Sequence, residues 1–97
     1  MATPESKVKE KIKTLLKKYS VWYYLPVSMG MGQHGIPDFI CCAKGGFLGI
    51  EAKAEGKVPT GLQVMQMNKI EEAGGETWVE DGTTLVALEN LIKEMAR

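Results

Sequence analysis

Two short apolar runs, separated by a turn that contains glycine, dominate the middle of the chain between positions 35 and 63. The first run includes Asp38, the second includes Glu51 and Lys53, and Lys44-Gly45-Gly46 lies between them. Apolar runs of this length around such a turn are typical of a β-hairpin. Asp, Glu and Lys are poor strand formers, so their presence in these runs requires a reason other than strand formation.

A two-residue turn centred on Gly45 and Gly46 predicts a definite register for this hairpin. The predicted partners are Lys44 with Phe47, Cys42 with Gly49, Ile40 with Glu51, and Asp38 with Lys53. Because successive side chains alternate across a strand, Asp38, Glu51 and Lys53 then share one face. The opposite face is apolar and predicts the core: Phe39, Cys41, Ala43, Leu48, Ile50 and Ala52. Diagonal Cβ atoms lie about 7 Å apart, so Asp38 and Glu51 are expected to reach one bound cation, with Lys53 beside it.

The length and the charge distribution limit the organisation of the chain. Its 97 residues predict a single domain that spans positions 1–97. Lys and Arg number 12, as do Asp and Glu, so no overall basic field indicates nucleic-acid binding. The distribution is uneven, because lysines crowd the first 18 positions and the last third is acidic. The N-terminal end is therefore the part suited to phosphates.

The cysteines and the hydropathy favour a cytoplasmic protein. Cys41 and Cys42 are neighbours on a predicted strand and point to opposite faces, which excludes a disulfide or an ordinary zinc pair between them. No apolar run approaches the ~20 residues of a membrane span, and the N-terminus lacks the apolar core of a signal peptide.

The first segment is predicted to be a helix that ends near Tyr19, with Thr3 as its N-cap and Pro4 at its first position. One stripe of this helix is apolar: Val8, Ile12, Leu15, Leu16 and Tyr19. Glu5 falls on that stripe and is expected to point toward the hairpin, whereas Glu10 falls on the opposite, lysine-rich side. Glu5 is equally well explained as a charge that complements the helix N-terminus.

The segment Val21–Ser28 is rich in aromatic and β-branched residues and predicts a strand, with Pro26 indicating an edge position or a bulge. The loop from Gly30 to Gly35 has the spacing GxGxxG. A dinucleotide-binding loop must open a helix, but this loop leads into a strand, so that interpretation is rejected. The glycines indicate either a flexible loop beside the site or a plain surface loop. His34 and Gln33 have either a role in water or phosphate contact, or one in the loop or a dimer contact.

After Lys53, the residues Thr60 to Gln63 match a capping box, and a helix to about Ala73 is predicted. Its packed side is expected to contain Leu62, Met65, Met67, Ile70 and Ala73. Gln63 caps this helix, faces the site, or does both. A strand at Glu76–Glu80 and a helix at Thr83–Met95, with Thr83 or Thr84 as N-cap, complete the chain. This order predicts a mixed sheet flanked by helices, with a parallel connection through the middle helix.

The ordered set Pro37-Asp38, Glu51-Ala52-Lys53 and Gln63 resembles the motifs of the PD-(D/E)XK nuclease superfamily. Within it, nearly the whole chain is similar to a stand-alone VRR-NUC domain, a small nuclease module. Glu5 matches the acidic residue that this family carries in its first helix, with Glu10 as the nearby alternative. The resemblance implies an α/β fold with a restriction-endonuclease-like αβββαβα core.

The resemblance also implies a metal-dependent DNA endonuclease that acts on structured DNA such as four-way junctions or flaps. Asp38, Glu51 and the backbone carbonyl of Ala52 are expected to bind Mg²⁺ or Mn²⁺. Lys53 is expected to orient or activate the attacking water. Glu5 and Gln63 are expected to position waters or a second metal ion. The expected location is the cytoplasm of a bacterial cell or of a virus-infected host cell.

A chain of this size needs two active sites to cut two symmetric strands, so a two-fold homodimer is expected. The alternative is a non-catalytic nucleic-acid-binding or assembly module that retains the fold. Clustered carboxylates repel phosphate, and a pure binder has no need of Asp38, Glu51 and Lys53 together. A third interpretation treats these three as ordinary solvent-facing strand residues.

Overall fold

The predicted order of helices and strands is confirmed in residues 2–27 and 33–97, which are the residues described by the computed structural model. The elements are α1 (Pro4–Lys18), β1 (Trp22–Tyr24), β2 (Phe39–Ala43), β3 (Gly46–Ala52), α2 (Gly61–Glu72), β4 (Glu76–Glu80) and α3 (Leu85–Met95). Within these residues, no helix is both long and apolar enough to cross a membrane.

The four strands form one mixed sheet in the order β1-β2-β3-β4. The first three strands pair antiparallel, whereas β3 and β4 are parallel and are connected through α2. Helices α1 and α3 pack on one face of the sheet, where their buried side chains join those of β2 and β3 in one core. Helix α2 lies against the opposite face, where Ile70 approaches Gly49. The α/β fold class with a mixed sheet between helices is confirmed.

The register of the β2–β3 hairpin differs from the predicted one by two residues. Ala43 pairs with Gly46, so the turn consists of Lys44 and Gly45, and the four predicted partner pairs are wrong. Both turn residues have positive φ, 49° and 83°, as a type I′ turn requires. Gly46 instead begins β3, where a Cβ atom would lie 3.0 Å from Cε of Met95 in α3. The second glycine is therefore a strand residue and not part of the turn.

The two-residue shift leaves the faces of the hairpin unchanged, because side chains alternate with a period of two. All six residues of the predicted core face are buried: Phe39, Cys41, Ala43, Leu48, Ile50 and Ala52. They pack against the apolar stripe of α1, whose buried members are Val8, Ile12 and Leu16. Both cysteines are free thiols, as expected.

The strand predicted for Val21–Ser28 is much shorter in the structure, since β1 ends at Tyr24. Pro26 lacks the N–H that a longer ladder would need, which limits the strand on this side. Ser28 and the glycines Gly30 and Gly32 of the predicted loop lie outside the described residues. At the start of the chain, Thr3 caps α1 as predicted, here through a capping box with Ser6.

The packed side of α2 is more polar than predicted. Of the five expected residues, Met67 is buried and Ile70 is half-buried, whereas Leu62, Met65 and Ala73 are exposed. The observed packed stripe has the helical spacing i, i+3, i+4, i+7 and consists of Gln63, Gln66, Met67 and Ile70. Two glutamines occupy it, which an apolar pattern does not detect.

Glu80 is a fully buried carboxylate at the end of β4 that caps α3. It accepts hydrogen bonds from the backbone N–H groups of Gly82 (2.8 Å) and Thr84 (3.1 Å). The Thr84 hydroxyl (2.8 Å) and the Trp78 indole N–H (3.0 Å) also donate to it. Thr84 is the N-cap residue by position, as one of the two predictions had it, but its hydroxyl does not cap the helix. The charged side chain of Glu80 satisfies these groups instead.

We expect Glu80→Ala to lower the free energy of unfolding by about 3 kcal/mol, because it leaves buried donors without an acceptor. Urea denaturation followed by circular dichroism measures this loss. Glu76→Ala is the matched control, since Glu76 lies on the same strand but is exposed, and its effect should stay within about 0.5 kcal/mol. Equal losses in the two variants would contradict the capping role.

Candidate metal-binding active site

At the open end of the β2–β3 hairpin, one hydrogen bond joins Asp38 to Glu51 and a second joins it to Ala52. The backbone N–H of Asp38 donates to Oε1 of Glu51 at 3.2 Å, and the backbone N–H of Ala52 donates to Oδ2 of Asp38 at 2.9 Å. Asp38 directly precedes the ladder pair Phe39–Ile50, so the observed register sets it opposite Glu51. The predicted pair of Asp38 with Lys53 is therefore wrong. The two carboxylates nevertheless lie together on one face, as predicted.

The segment before β2 is held in place by close packing against α2. Gly35 has a φ of 82°, and a Cβ atom at this residue would lie 2.5 Å from the backbone oxygen of Leu62. No other residue fits this approach without a shift of the backbone. Pro37 is buried and packs on Gly49 in β3. These two contacts fix the chain on the N-terminal side of Asp38.

Lys53 completes the predicted trio. Its Nζ lies 3.5 Å from Oε2 of Glu51, and the two side chains are 13% and 3% exposed. Its backbone N–H donates to the carbonyl oxygen of Glu80 at 2.9 Å, so the end of β4 holds the residue that follows β3. Asp38, Glu51 and Lys53 therefore converge in the structure, and the third interpretation, ordinary solvent-facing residues, does not describe Glu51.

The first helix brings a second lysine to the carboxylates. Nζ of Lys9 lies 3.7 Å from Oδ1 of Asp38 and 3.7 Å from Oε2 of Glu5. Glu5 thus shares a cation with Asp38, whereas Glu10 pairs with Lys13 at 3.2 Å within the helix. The structure places Glu5, not Glu10, beside the hairpin. Lys9 was not singled out in the sequence, because it is one of six lysines in the helix.

Gln63 is placed as a helix cap. Its backbone N–H donates to the Thr60 hydroxyl at 3.2 Å, and its side-chain oxygen accepts from the Thr60 N–H at 2.9 Å. These bonds confirm the predicted capping box. The contacts of the described residues do not join Gln63 to Asp38, Glu51 or Lys53, so its role at the site stays a prediction.

Gln66, one turn further along α2, connects the helix to the loop before β2. Its side-chain N–H₂ group donates to Oε1 of Gln33 and to the backbone oxygen of His34, each at 3.3 Å. The His34 side chain itself is exposed. Sequence analysis missed Gln66, although its i+3 spacing from Gln63 is a signal that could have identified it.

A groove of about 290 Å³ adjoins Asp38. Pro26 and Val27 line one part of it, and Gln33 and His34 line another. It contains both polar and apolar groups and is open to solvent.

Burial and charge repulsion perturb the ionisation of Glu51. Desolvation has the largest effect and, together with the charge of Asp38 and a hydrogen bond shared with its carboxylate, raises the pKa of Glu51 to about 7. Lys53 and the Asp38 N–H act in the opposite direction and are outweighed. A buried carboxylate beside a second carboxylate therefore holds a proton near neutral pH. A cation bound between the two would favour loss of that proton.

The donor set fits a hard divalent cation. Mg²⁺ and Mn²⁺ prefer carboxylate oxygens, and Mg²⁺ is commonly held by one or two carboxylates with several waters. Among residues 2–27 and 33–97, no group of three or more His, Cys, Asp and Glu side chains is arranged to hold a metal ion. Asp38 and Glu51 contribute two carboxylates, and the next residue, Ala52, has its side chain in the core.

No protein-family model matches the chain, and no curated protein matches it significantly. The resemblance to VRR-NUC nucleases therefore rests on the motif residues of the sequence.

In metal-free buffer with EDTA, we expect the protein to be more stable at pH 5 than at pH 8. The folded-state pKa of Glu51 is about 7 and the ordinary value is 4.5, so the folded state retains a proton that the unfolded chain releases. This stability is complete below pH 4.5 and is lost as the pH rises through 7. Its size is on the order of 3 kcal/mol, measured by urea denaturation at each pH.

Glu51→Gln is the control for this pH dependence. Its amide oxygen still accepts the Asp38 N–H, but the side chain does not titrate. The variant should be less sensitive to pH between 5 and 8 than the wild type, and groups elsewhere cancel in the comparison. Identical pH dependences in the two proteins would contradict the perturbed pKa.

Proposed function

We propose that the chain is a metal-dependent endonuclease that hydrolyses phosphodiester bonds in branched DNA. The observation that carries the proposal is the convergence of the paired carboxylates of Asp38 and Glu51 with the ammonium group of Lys53. Two adjacent carboxylates suit a metal ion, and a nearby ammonium group suits the negative charge that develops when a phosphate ester is hydrolysed. The order of these residues along the chain, and their motif, support the same reaction.

Asp38, Glu51 and the Ala52 carbonyl would hold Mg²⁺ or Mn²⁺. The bound cation supplies Lewis-acid activation of the scissile phosphate and charge stabilisation at the leaving oxygen. Lys53 lies at the edge of the pair, where its ammonium group orients the attacking water and offsets the negative charge that develops on the phosphate. Its partner Glu51 holds the lysine in position.

The remaining site residues act around this centre. Glu5 faces Asp38 across Lys9 and would position water on the helix side of the site. Gln63 lies in the first turn of the helix against which the Gly35 segment packs, and its side-chain N–H₂ group is the part left to contact a water molecule. Whether one or two metal ions act is decided by metal titration, not by this set of residues.

The proposed substrate is DNA recognised through its backbone and shape. The exposed lysines of α1 include Lys7, Lys11 and Lys17, which suit phosphate groups. The sequence contains no base-reading motif, so branched structures such as four-way junctions and flaps are favoured over a specific sequence. A DNA substrate fits a protein of the cytoplasm, in a bacterial cell or a virus-infected host cell.

A homodimer is proposed because the two strands of a symmetric junction require two active sites. The uncovered half of the sheet supports it. Trp22, Cys42 and Phe47 are paired across β1, β2 and β3 on the face opposite α1 and α3, and Tyr24 lies on the same face. Trp22 is 61% and Tyr24 is 54% exposed. Exposed aromatic residues of this kind are enriched in protein interfaces.

We expect light scattering at micromolar concentration to give the mass of a dimer, about twice the 10.7 kDa of the chain. Trp22→Ser should shift the mass toward the monomer, while Val86→Ser, which changes an exposed residue of α3, should not. A monomeric wild type would contradict the dimer.

The decisive experiment incubates the protein with a labelled four-way junction, a flap and a linear duplex in Mg²⁺, in Mn²⁺ and in EDTA. We expect cleavage of branched DNA that requires the metal. Asp38→Asn and Lys53→Met should each reduce the rate at least about a hundredfold, because each removes a group that acts on the reacting atoms. Glu5→Gln should reduce it less, and the matched control Glu10→Gln should leave it unchanged.

Cleavage that survives EDTA, Asp38→Asn or Lys53→Met would contradict the mechanism. Junction binding without cleavage under all conditions would favour the alternative, a non-catalytic nucleic-acid-binding or assembly module. Equal rates for Glu5→Gln and Glu10→Gln would remove Glu5 from the site.

A further inference from the structure

Lys9 occupies a special place among the lysines of α1. Its ammonium group lies 3.7 Å from Oδ1 of Asp38 and 3.7 Å from Oε2 of Glu5, and so connects the helix to the hairpin. In contrast, Lys13 pairs with Glu10 on its own helix, and Lys18 pairs with Glu89 of α3. Lys9 is thus the lysine of α1 that contacts a proposed metal ligand.

The ion pair between Lys9 and Asp38 is not needed to hold Asp38 in place. The Asp38 carboxylate already accepts a 2.9 Å hydrogen bond from the Ala52 N–H, and the residue is fixed by its backbone bond to Glu51. Lys9 and Asp38 have side chains that are 35% and 26% exposed. Ion pairs of this exposure and length contribute little to stability.

The position of Lys9 matters once a cation binds. The Lys9 ammonium group and a divalent cation compete for the same carboxylate, since both are attracted to the oxygens of Asp38. With the cation bound, Lys9 is repelled by it and loses part of its attraction to Asp38. The cleavable phosphodiester brings a new anionic group to the same place, because it must lie beside the carboxylate pair in order to react.

We propose that Lys9 binds a phosphate of the substrate, at the cleaved bond or next to it, and that it exchanges Asp38 for this phosphate when the cation is present. The inference rests on the proposed function and extends it by a second cationic residue. Of the two carboxylates, Glu51 is paired with Lys53 and Asp38 is paired with Lys9. The substrate backbone would then lie between two ammonium groups that approach from different parts of the fold, the end of β3 and α1.

The first test is cation binding by the metal-free protein, measured by isothermal titration calorimetry with Mg²⁺ or Mn²⁺ and no DNA. Lys9→Met keeps the length of the side chain and removes its charge. It should bind the cation about threefold to tenfold more tightly than the wild type, because a competing positive charge is absent. Lys9→Arg and the matched control Lys13→Met should resemble the wild type.

The second test is DNA binding in a Lys53→Met background, which retains both carboxylates and is not expected to cut. With Mg²⁺, the double variant Lys9→Met/Lys53→Met should bind a labelled four-way junction on the order of tenfold more weakly than Lys53→Met alone. Its salt dependence should correspond to about one phosphate contact fewer. In EDTA the two proteins should bind equally, because Lys9 then remains paired with Asp38.

The opposite results would overturn the inference. Weaker cation binding by Lys9→Met would mean that Lys9 only orients Asp38, and unchanged junction affinity with Mg²⁺ would mean that it does not contact phosphate. Failure of the wild type to cut DNA would defeat the proposed nuclease but not this inference, since both tests measure binding. Normal cutting with unchanged binding by the Lys9 variants would defeat the inference alone.

Discussion

The reciprocal hydrogen bonds between Asp38 and the Glu51-Ala52 strand end are the interaction on which the site depends. Beyond the last ladder pair, Phe39 and Ile50, the two strands are joined by hydrogen bonds from backbone N–H groups to carboxylates. Both carboxylates are therefore held in place by hydrogen bonds, although burial by itself does not stabilise a carboxylate. Glu51 is only 2% exposed, and a carboxylate in that environment gains from any positive charge nearby. Lys53 supplies such charge, and a divalent cation would supply more.

The hairpin shows which part of a site a sequence can predict. The pattern of apolar and charged residues determines the faces of a strand, and the faces survive any shift by an even number of residues. The register is a finer property. It depended on whether Gly45-Gly46 or Lys44-Gly45 formed the turn, and the structure has Lys44-Gly45. Local turn preferences favour Gly-Gly over Lys-Gly, so they did not predict this register.

The residues that the sequence did not reveal are polar groups whose role depends on tertiary partners. Lys9 resembles the other lysines of α1 until Asp38 is placed beside it. In the sequence, Glu80 resembles an exposed charged residue at the end of a strand. In the structure it is fully buried, and four hydrogen-bond donors compensate for the loss of water. Gln66 occupies a buried position of α2 where an apolar residue would be expected, because its side chain donates there to the backbone of the loop before β2. Helices, caps and the core followed from local patterns, whereas these groups required the packed structure.

The turn of the hairpin and its carboxylate end are far apart, which has a practical meaning. Six positions separate Lys44 from Asp38, and at about 3.3 Å per residue the exposed turn lies about 20 Å from the carboxylates. A fluorophore on Lys44 would thus report on β2, which begins at the residue after Asp38, from a point far from the paired carboxylates. The two ends of the hairpin can therefore be probed independently of each other.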